Sequence, residues 1–300
     1  MALADVLHIP NPVISPICYS TSALETLALT CAQMCSPEDQ WALVTKYRRS
    51  QAAISQLTHE VVSYINNAWG HLLRFDKDGI LSPEALTQYT AMLHAHGAPT
   101  RMVVGFLDCT IRKTCCPSFF KTLAYMGYKK FHGMKFQAIA VPNGMIAHLD
   151  GPYCTPQNDG GVLVESRLLK LMREHAIQPG LVEGDPSERR YFQLYGDSAY
   201  GVSAMLVSPH AWVRELTAVE HAWNTAMGGV RISVEHVFGI VLQEWTFLRC
   251  SWKHQILGTA CGLWYRVAVL LTNAHNCFVP NQTAQCYGCM PPSIADYFHN

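Results

Sequence analysis

Two apolar runs of this chain each stop on an aspartate. "VVGFLD" closes on Asp108 and "YFQLYGD" closes on Asp197, the second followed by small residues and a tyrosine. Both runs read as β-strands that deliver a carboxylate at the strand end, where the chain turns. One such aspartate is ordinary. Two of them, far apart along the chain, suggest a shared site, and that demand constrains the fold more than any other feature.

The segments around them supply the rest of a layered domain. "KFQAIAVPNGMIAHLDG" is two apolar runs about "PNG" and reads as a β-hairpin. "DGGVLVESRLLKLMREHA" reads as one amphipathic helix, and residues 209–248 as mainly helical, with Val230, Val234, Val237 and Val241 in one apolar row. Strands followed by helices, with one more strand between, predict an α/β fold with a mixed sheet flanked by helices. The text before residue 99 is different. Ser36 and Pro37 open a helix-start signal, "RRSQ" breaks the pattern, and Ile54, Leu57, Val61, Ile65 and Trp69 then recur at helical spacing. A further capped helix is expected over 81–97. The expected organisation is a helical N-terminal region, 1–98, with a possible degenerate helix-turn-helix, and a second domain over 99–300. Most helix pairs are only packing units, so the helix-turn-helix pattern alone is a weak sign of DNA contact.

A third acid, Glu235, falls within "SVEHVF", among valines and a phenylalanine, and an unpaired buried carboxylate is costly. Arg231 lies one turn earlier on the same helical face and could pair with it. Three carboxylates from separate elements suit Mg²⁺ or Mn²⁺, which prefer oxygen ligands. Each acid also has an ordinary explanation. Asp108 could cap a turn, Asp197 could bond its own loop, and Glu235 could be salt-bridged.

Charge limits the partners. Lysine plus arginine equals aspartate plus glutamate, 22 of each, which argues against strong autonomous nucleic-acid binding. The balance is uneven, however: from Cys109 to Leu149 there is no acid, while Arg112, Lys113, Lys121, Lys129, Lys130 and Lys135 all occur. Such a patch can hold a polyanion, although edge-strand lysines also discourage aggregation. The start of the chain lacks the pattern of a signal peptide, so reduced thiols are expected for the 12 cysteines. Cys286 and Cys289 form a lone CxxC near His275 and Cys277. Without a second pair it reads as free thiols in preference to zinc. The most apolar segment, 256–271, is short for a membrane span and carries Arg266, so a buried helix and no membrane are expected.

Taken together, "GFLDCTIRKTCCPS", "YKKFHGMKFQAIAVPNGMIAHLDGP", "LYGDSAYG", "VRISVEHVFG" and "PPSIADYF" resemble the Harbinger-type transposases and the nucleases derived from them, within the DDE endonuclease superfamily. The resemblance spans roughly residues 36–300, with the motifs in order. It implies an RNase H-like core in which two aspartates and a glutamate bind divalent metal, two ions of Mg²⁺ or Mn²⁺, and cut DNA. The family's "DGT"-like aspartate falls on Asp108, its "GDxxY" aspartate on Asp197, and its "VExxFG" glutamate on Glu235. Its "HD" acid falls on Asp159, as a supporting residue beside Arg231. Lys129, Lys130 and Lys135 are the candidates for steering the DNA backbone. The resemblance further implies a Myb-like partner protein for DNA recognition and import, and hence a nuclear location. This chain departs from the pattern in three places: Cys109 replaces a glycine, "HD" is "ND", and the expected glycine of the helix-turn-helix turn is Arg48.

Two other readings compete with a metal-dependent endonuclease. One is a domesticated, catalytically silent scaffold that binds DNA or protein. The other is an unrelated hydrolase using two carboxylates as acid and base, such as a glycosidase, with some of the seven tryptophans stacking on sugar. The order of the motifs makes the second a poor fit.

Overall fold

The computed structural model describes residues 2–37, 39–182, 184–211 and 215–299; the side chains of residues 2, 188 and 233–235 lie outside the description. Its centre is a mixed sheet of six strands. The first long strand, Val103–Thr114, pairs antiparallel with Phe131–Ala140, which pairs antiparallel in turn with Ile146–Tyr153 and with the short Tyr125–Met126. On its other side the first strand runs parallel to Gln193–Tyr195, and that strand to Leu206–Val207. This is the antiparallel-then-parallel order of an RNase H-like fold, with the first strand at the junction. The hairpin expected about "PNG" is present, and Gly144 takes the left-handed backbone of its turn (φ 76°).

Helices cover both faces of the sheet. Alternation puts Phe106, Asp108, Thr110 and Arg112 on one face of the first strand and Leu107, Cys109 and Ile111 on the other. The long helix Ala218–Glu244 and the helix Cys261–Phe278 lie on the Asp108 face. Trp223 of the long helix stacks on Tyr195 (5.7 Å), and Tyr265 of the second helix packs on Phe136 (4.8 Å), the residue opposite Thr110. The helix Asp159–Ser166 covers the other face, where Ser166 donates to Gln137 (2.9 Å) opposite Cys109. The predicted single helix over 159–176 is in fact two. The chain breaks at Arg167 in left-handed backbone (φ 55°) before resuming over Leu168–His175. The second helix ends at Ala176, whose carbonyl accepts from Phe192 N.

The N-terminal helices do not stand apart. Ile54, Leu57, Val61, Ile65 and Trp69 are all buried, as their spacing predicts. Their helix, Gln51–Trp69, packs on Cys261–Phe278, and the helix Pro83–Ala95, capped by Ser82, packs on the first strand. Side chains from Ala4 to Ala98 and from Val103 to Phe298 join one continuous core. Arg266 fastens the two regions together. It donates to Asn66 Oδ1 (3.1 Å), to the carbonyl of Gly70 (3.1 Å) and to that of Leu149 (3.2 Å).

One expected helix start is displaced. Ser36 ends the helix Ala23–Cys35 as its C-cap, and the next helix begins only at Trp41. The serine-proline signal is overridden because the preceding helix runs right up to it. After Tyr47 the chain turns through Arg48 (φ 51°, ψ 40°), then re-enters helix with Ser50 as cap. Arg48 thus adopts the left-handed geometry that a glycine would supply more easily.

Candidate active site

Strand register builds the site. Phe106 and Tyr195 are partners across the parallel pair, so Asp108 and Asp197, each two residues further on, leave the pair at the same end, near enough for the charge of Asp197 to act on Asp108. Asp108 does not end its strand, as its sequence context predicts. The first strand continues six residues to Thr114, because the antiparallel partner runs on with it. Only the parallel pairing stops near Asp108, leaving a notch at the C-terminal end of that pair. Asp197 caps the short 3₁₀ turn Ser198–Tyr200, its Oδ1 accepting from Ala199 N (2.9 Å). Gly196 is needed just before it, because a Cβ there would meet the Tyr200 ring at 2.8 Å.

Asp108 is mostly buried, with Oδ1 accepting from Cys109 N (2.9 Å) and Oδ2 3.8 Å from the Arg231 guanidinium. Burial pushes its carboxyl up to about 6. The Arg231 charge and the Cys109 N–H work against that rise, and the charges of Asp197 and Asp159 add to it. Burial, more than mutual repulsion, sets this value, and one arginine guanidinium stands 3.8 Å away. Carboxylate oxygens are the donors that Mg²⁺ or Mn²⁺ takes, so the chemistry of Asp108 and Asp197 fits the metal the resemblance implies. Glu235 belongs to the long helix four residues after Arg231, but its carboxylate lies outside the described residues. Among the described residues, no group of three His, Cys, Asp or Glu could hold a metal ion.

The opposite face carries a second network. Lys135 donates to Asp159 Oδ1 (2.8 Å) and to the Gln157 carbonyl, and Tyr200 donates to Cys109 Sγ (3.1 Å). Lys135 is only 4% exposed. It sits elsewhere than a phosphate-steering role requires: its ammonium is held in the interior by the first residue of a helix. Lys129 and Lys130, in contrast, are exposed in the turn before the second strand. Burial pushes the Cys109 thiol and the Tyr200 phenol well above their ordinary values, so both stay protonated in this network. The Cys109–Tyr200 contact was legible only in part, since the tyrosine stands in a motif while nothing in the sequence pairs it with the cysteine.

The remaining candidates fall into place away from the acids. His275 meets Glu244 (2.6 Å), and burial pushes Cys277 up to about 12 and Cys289 to about 11. The exposed face of the helix Gln51–Trp69, with Gln51, Ser55 and His59, lines a cleft of about 690 Å³ opposite Trp252 and Gln255. Sequence reasoning missed this cleft, because the exposure of Trp41 and Trp252, about two thirds each, has no local signal.

An RNase H-like sheet with two aspartates just beyond the end of its parallel pairing is the arrangement of a class of phosphodiester-processing domains. Family comparison agrees: the family described as DDE superfamily endonuclease matches residues 107–273, more than half of the chain. The chain belongs to that family. No curated protein and no solved structure matches it.

Proposed function

We propose that the protein is a Harbinger-type, divalent-metal-dependent DNA endonuclease. What supports this reading is the parallel pair Phe106↔Tyr195, which brings the segments carrying Asp108 and Asp197 to the same end of the sheet, and the carboxyl of Asp108, raised to about 6 by burial with the Asp197 charge adding to the rise. Asp108, Asp197 and Glu235 would hold two ions of Mg²⁺ or Mn²⁺, which when bound activate a water and neutralise the leaving oxygen. Within the chain, Asp197 is fixed by its own turn and Asp108 by the Cys109 N–H, so neither needs to reorganise. Arg231 positions Asp108 and stands close enough to contact a substrate phosphate. Asp159, locked by Lys135, supports the opposite side. Hydrolysis joins the water oxygen to phosphorus as the bond to the 3′-oxygen breaks. The neutral net charge supports reliance on a partner for DNA recognition; that the partner is Myb-like and brings nuclear import is what the resemblance implies.

One observation favours the silent-scaffold reading, namely that Arg231 already approaches Asp108 and partly serves as its counter-ion. Nicking of supercoiled DNA in Mn²⁺ separates the two. The wild type should nick, and Asp108→Ala and Asp197→Ala should not. Cleavage retained in either variant removes the proposed roles. Mn²⁺ should also raise the melting temperature of the wild type and leave that of Asp197→Asn unchanged. Absence of any shift in the wild type favours the scaffold.

A further inference from the structure

The first two strands form an arm that passes well beyond the acids. Their ladder continues from Asp108↔Ala138 to Thr114↔His132, which carries it about 20 Å past the site at ordinary strand rise. The segment that closes the arm, residues 115–130, is unlike the rest of the surface. Phe119, Phe120 and Tyr128 are 71%, 62% and 89% exposed, and Leu123 and Tyr125 are also exposed. Lys121, Lys129 and Lys130 alternate with them, and all three are exposed. No acid occurs between Cys109 and Leu149.

The backbone holds these rings outward. Phe120 sits in left-handed backbone (φ 57°), a conformation that costs a bulky residue about 1–2 kcal/mol, yet its ring gains no burial in return. The tip is also ordered, not loose. Thr155 N donates to the Leu123 carbonyl (3.0 Å), Lys130 N to the Met126 carbonyl (2.7 Å), and Tyr125 packs on His132 (5.1 Å). Exposed aromatics interleaved with lysines, without acids, form the pattern that stacks bases while tracking phosphates. A protein-docking patch of this size would need no such exclusion of acids.

We infer that the arm tip binds single-stranded DNA, stacking unpaired bases on Phe119, Phe120 and Tyr128 while its lysines meet the phosphates. Resting on the endonuclease reading, this makes the substrate a duplex with an opened stretch about 20 Å from the cut bond. The arm would then hold the displaced strand away from the acids.

The test uses the full chain in EDTA, so that cleavage plays no part and failure of the nuclease reading leaves it intact. Fluorescence anisotropy measures binding of a labelled oligothymidine and of a duplex of equal length. Combined replacement Phe119→Ala, Phe120→Ala and Tyr128→Ala should weaken oligothymidine binding by roughly tenfold or more and duplex binding far less. Tyr128→Phe, which keeps the ring, should bind as the wild type does. Lys129→Gln with Lys130→Gln should lower the slope of log affinity against log salt by about one. Unchanged melting temperatures confirm that the folds are intact. Oligothymidine binding within twofold of wild type in the triple variant, or an equal loss for duplex, overturns the inference; the first outcome would assign the patch to protein contact.

Discussion

Replacing Asp108 by asparagine should destroy activity and stabilise the protein. Burial raises this carboxyl from an ordinary 3.8 to about 6. The gap corresponds to about 3 kcal/mol of preference for the neutral form. Above pH 6 the folded protein carries that cost, because the carboxylate is ionised in a site that does not compensate it. Asparagine has the same shape, keeps an oxygen for the Cys109 N–H, and removes the charge. The attraction to Arg231 at 3.8 Å is already contained in that net value; imperfect accommodation of the amide NH₂ beside the guanidinium offsets part of the gain. The expected net stabilisation at pH 8 is about 1–3 kcal/mol, or several degrees of melting temperature for a chain of this size. The pH dependence has a definite sign. An acid whose folded value is raised gains stability as pH falls through 6 towards 3.8, so the advantage of Asp108→Asn is full above pH 6 and fades below it. Melting curves in EDTA at pH 8 and pH 5 measure both effects. An asparagine variant that melts lower at pH 8, or a difference that does not narrow by pH 5, would refute the desolvation argument. Saturating Mn²⁺ should reverse the order, because only the wild type gains a strong ligand.

Three further outcomes follow from the same contacts. His148 is fully buried with neither ring nitrogen hydrogen-bonded, and burial lowers it to about 4, with Asp150 opposing and Arg266 adding to that shift. Stability present above its ordinary 6.5 should be lost as pH falls towards 4, by about 3 kcal/mol, and urea titrations of His148→Phe should show a smaller loss over that window. Arg266→Met removes three hydrogen bonds from the helix Cys261–Phe278, two to the N-terminal helical region and one to the sheet, and should cost about 3 kcal/mol or more by urea midpoint. Lys135→Met strands the Asp159 carboxylate and should cost about 3 kcal/mol, much of it recovered by adding Asp159→Asn. A double-mutant cycle with additive losses would show the pair to be uncoupled.

Much of the site was legible because its chemistry is written in short patterns. The apolar runs ending in Asp108 and Asp197 announce strands, and the structure makes them neighbours through a parallel pairing that no local pattern encodes. The row Ile54–Trp69 was legible because burial repeats at helical period. The displaced start at Trp41 was not, since a preceding helix decided the role of Ser36. Lys135 looked like part of a basic surface because sequence records charge and not burial. Its position opposite Ile111 turns it inward, towards Asp159. The break at Arg167 also escaped notice, because no glycine or proline marks the left-handed residue.

The shared core has a mechanical consequence. With the helical region tied to the sheet through Arg266 and a large core shared between them, packed side chains fix the distance from that region to Asp108. On the proposed nuclease reading, that fixed distance would set where an incision falls relative to anything the helical region holds.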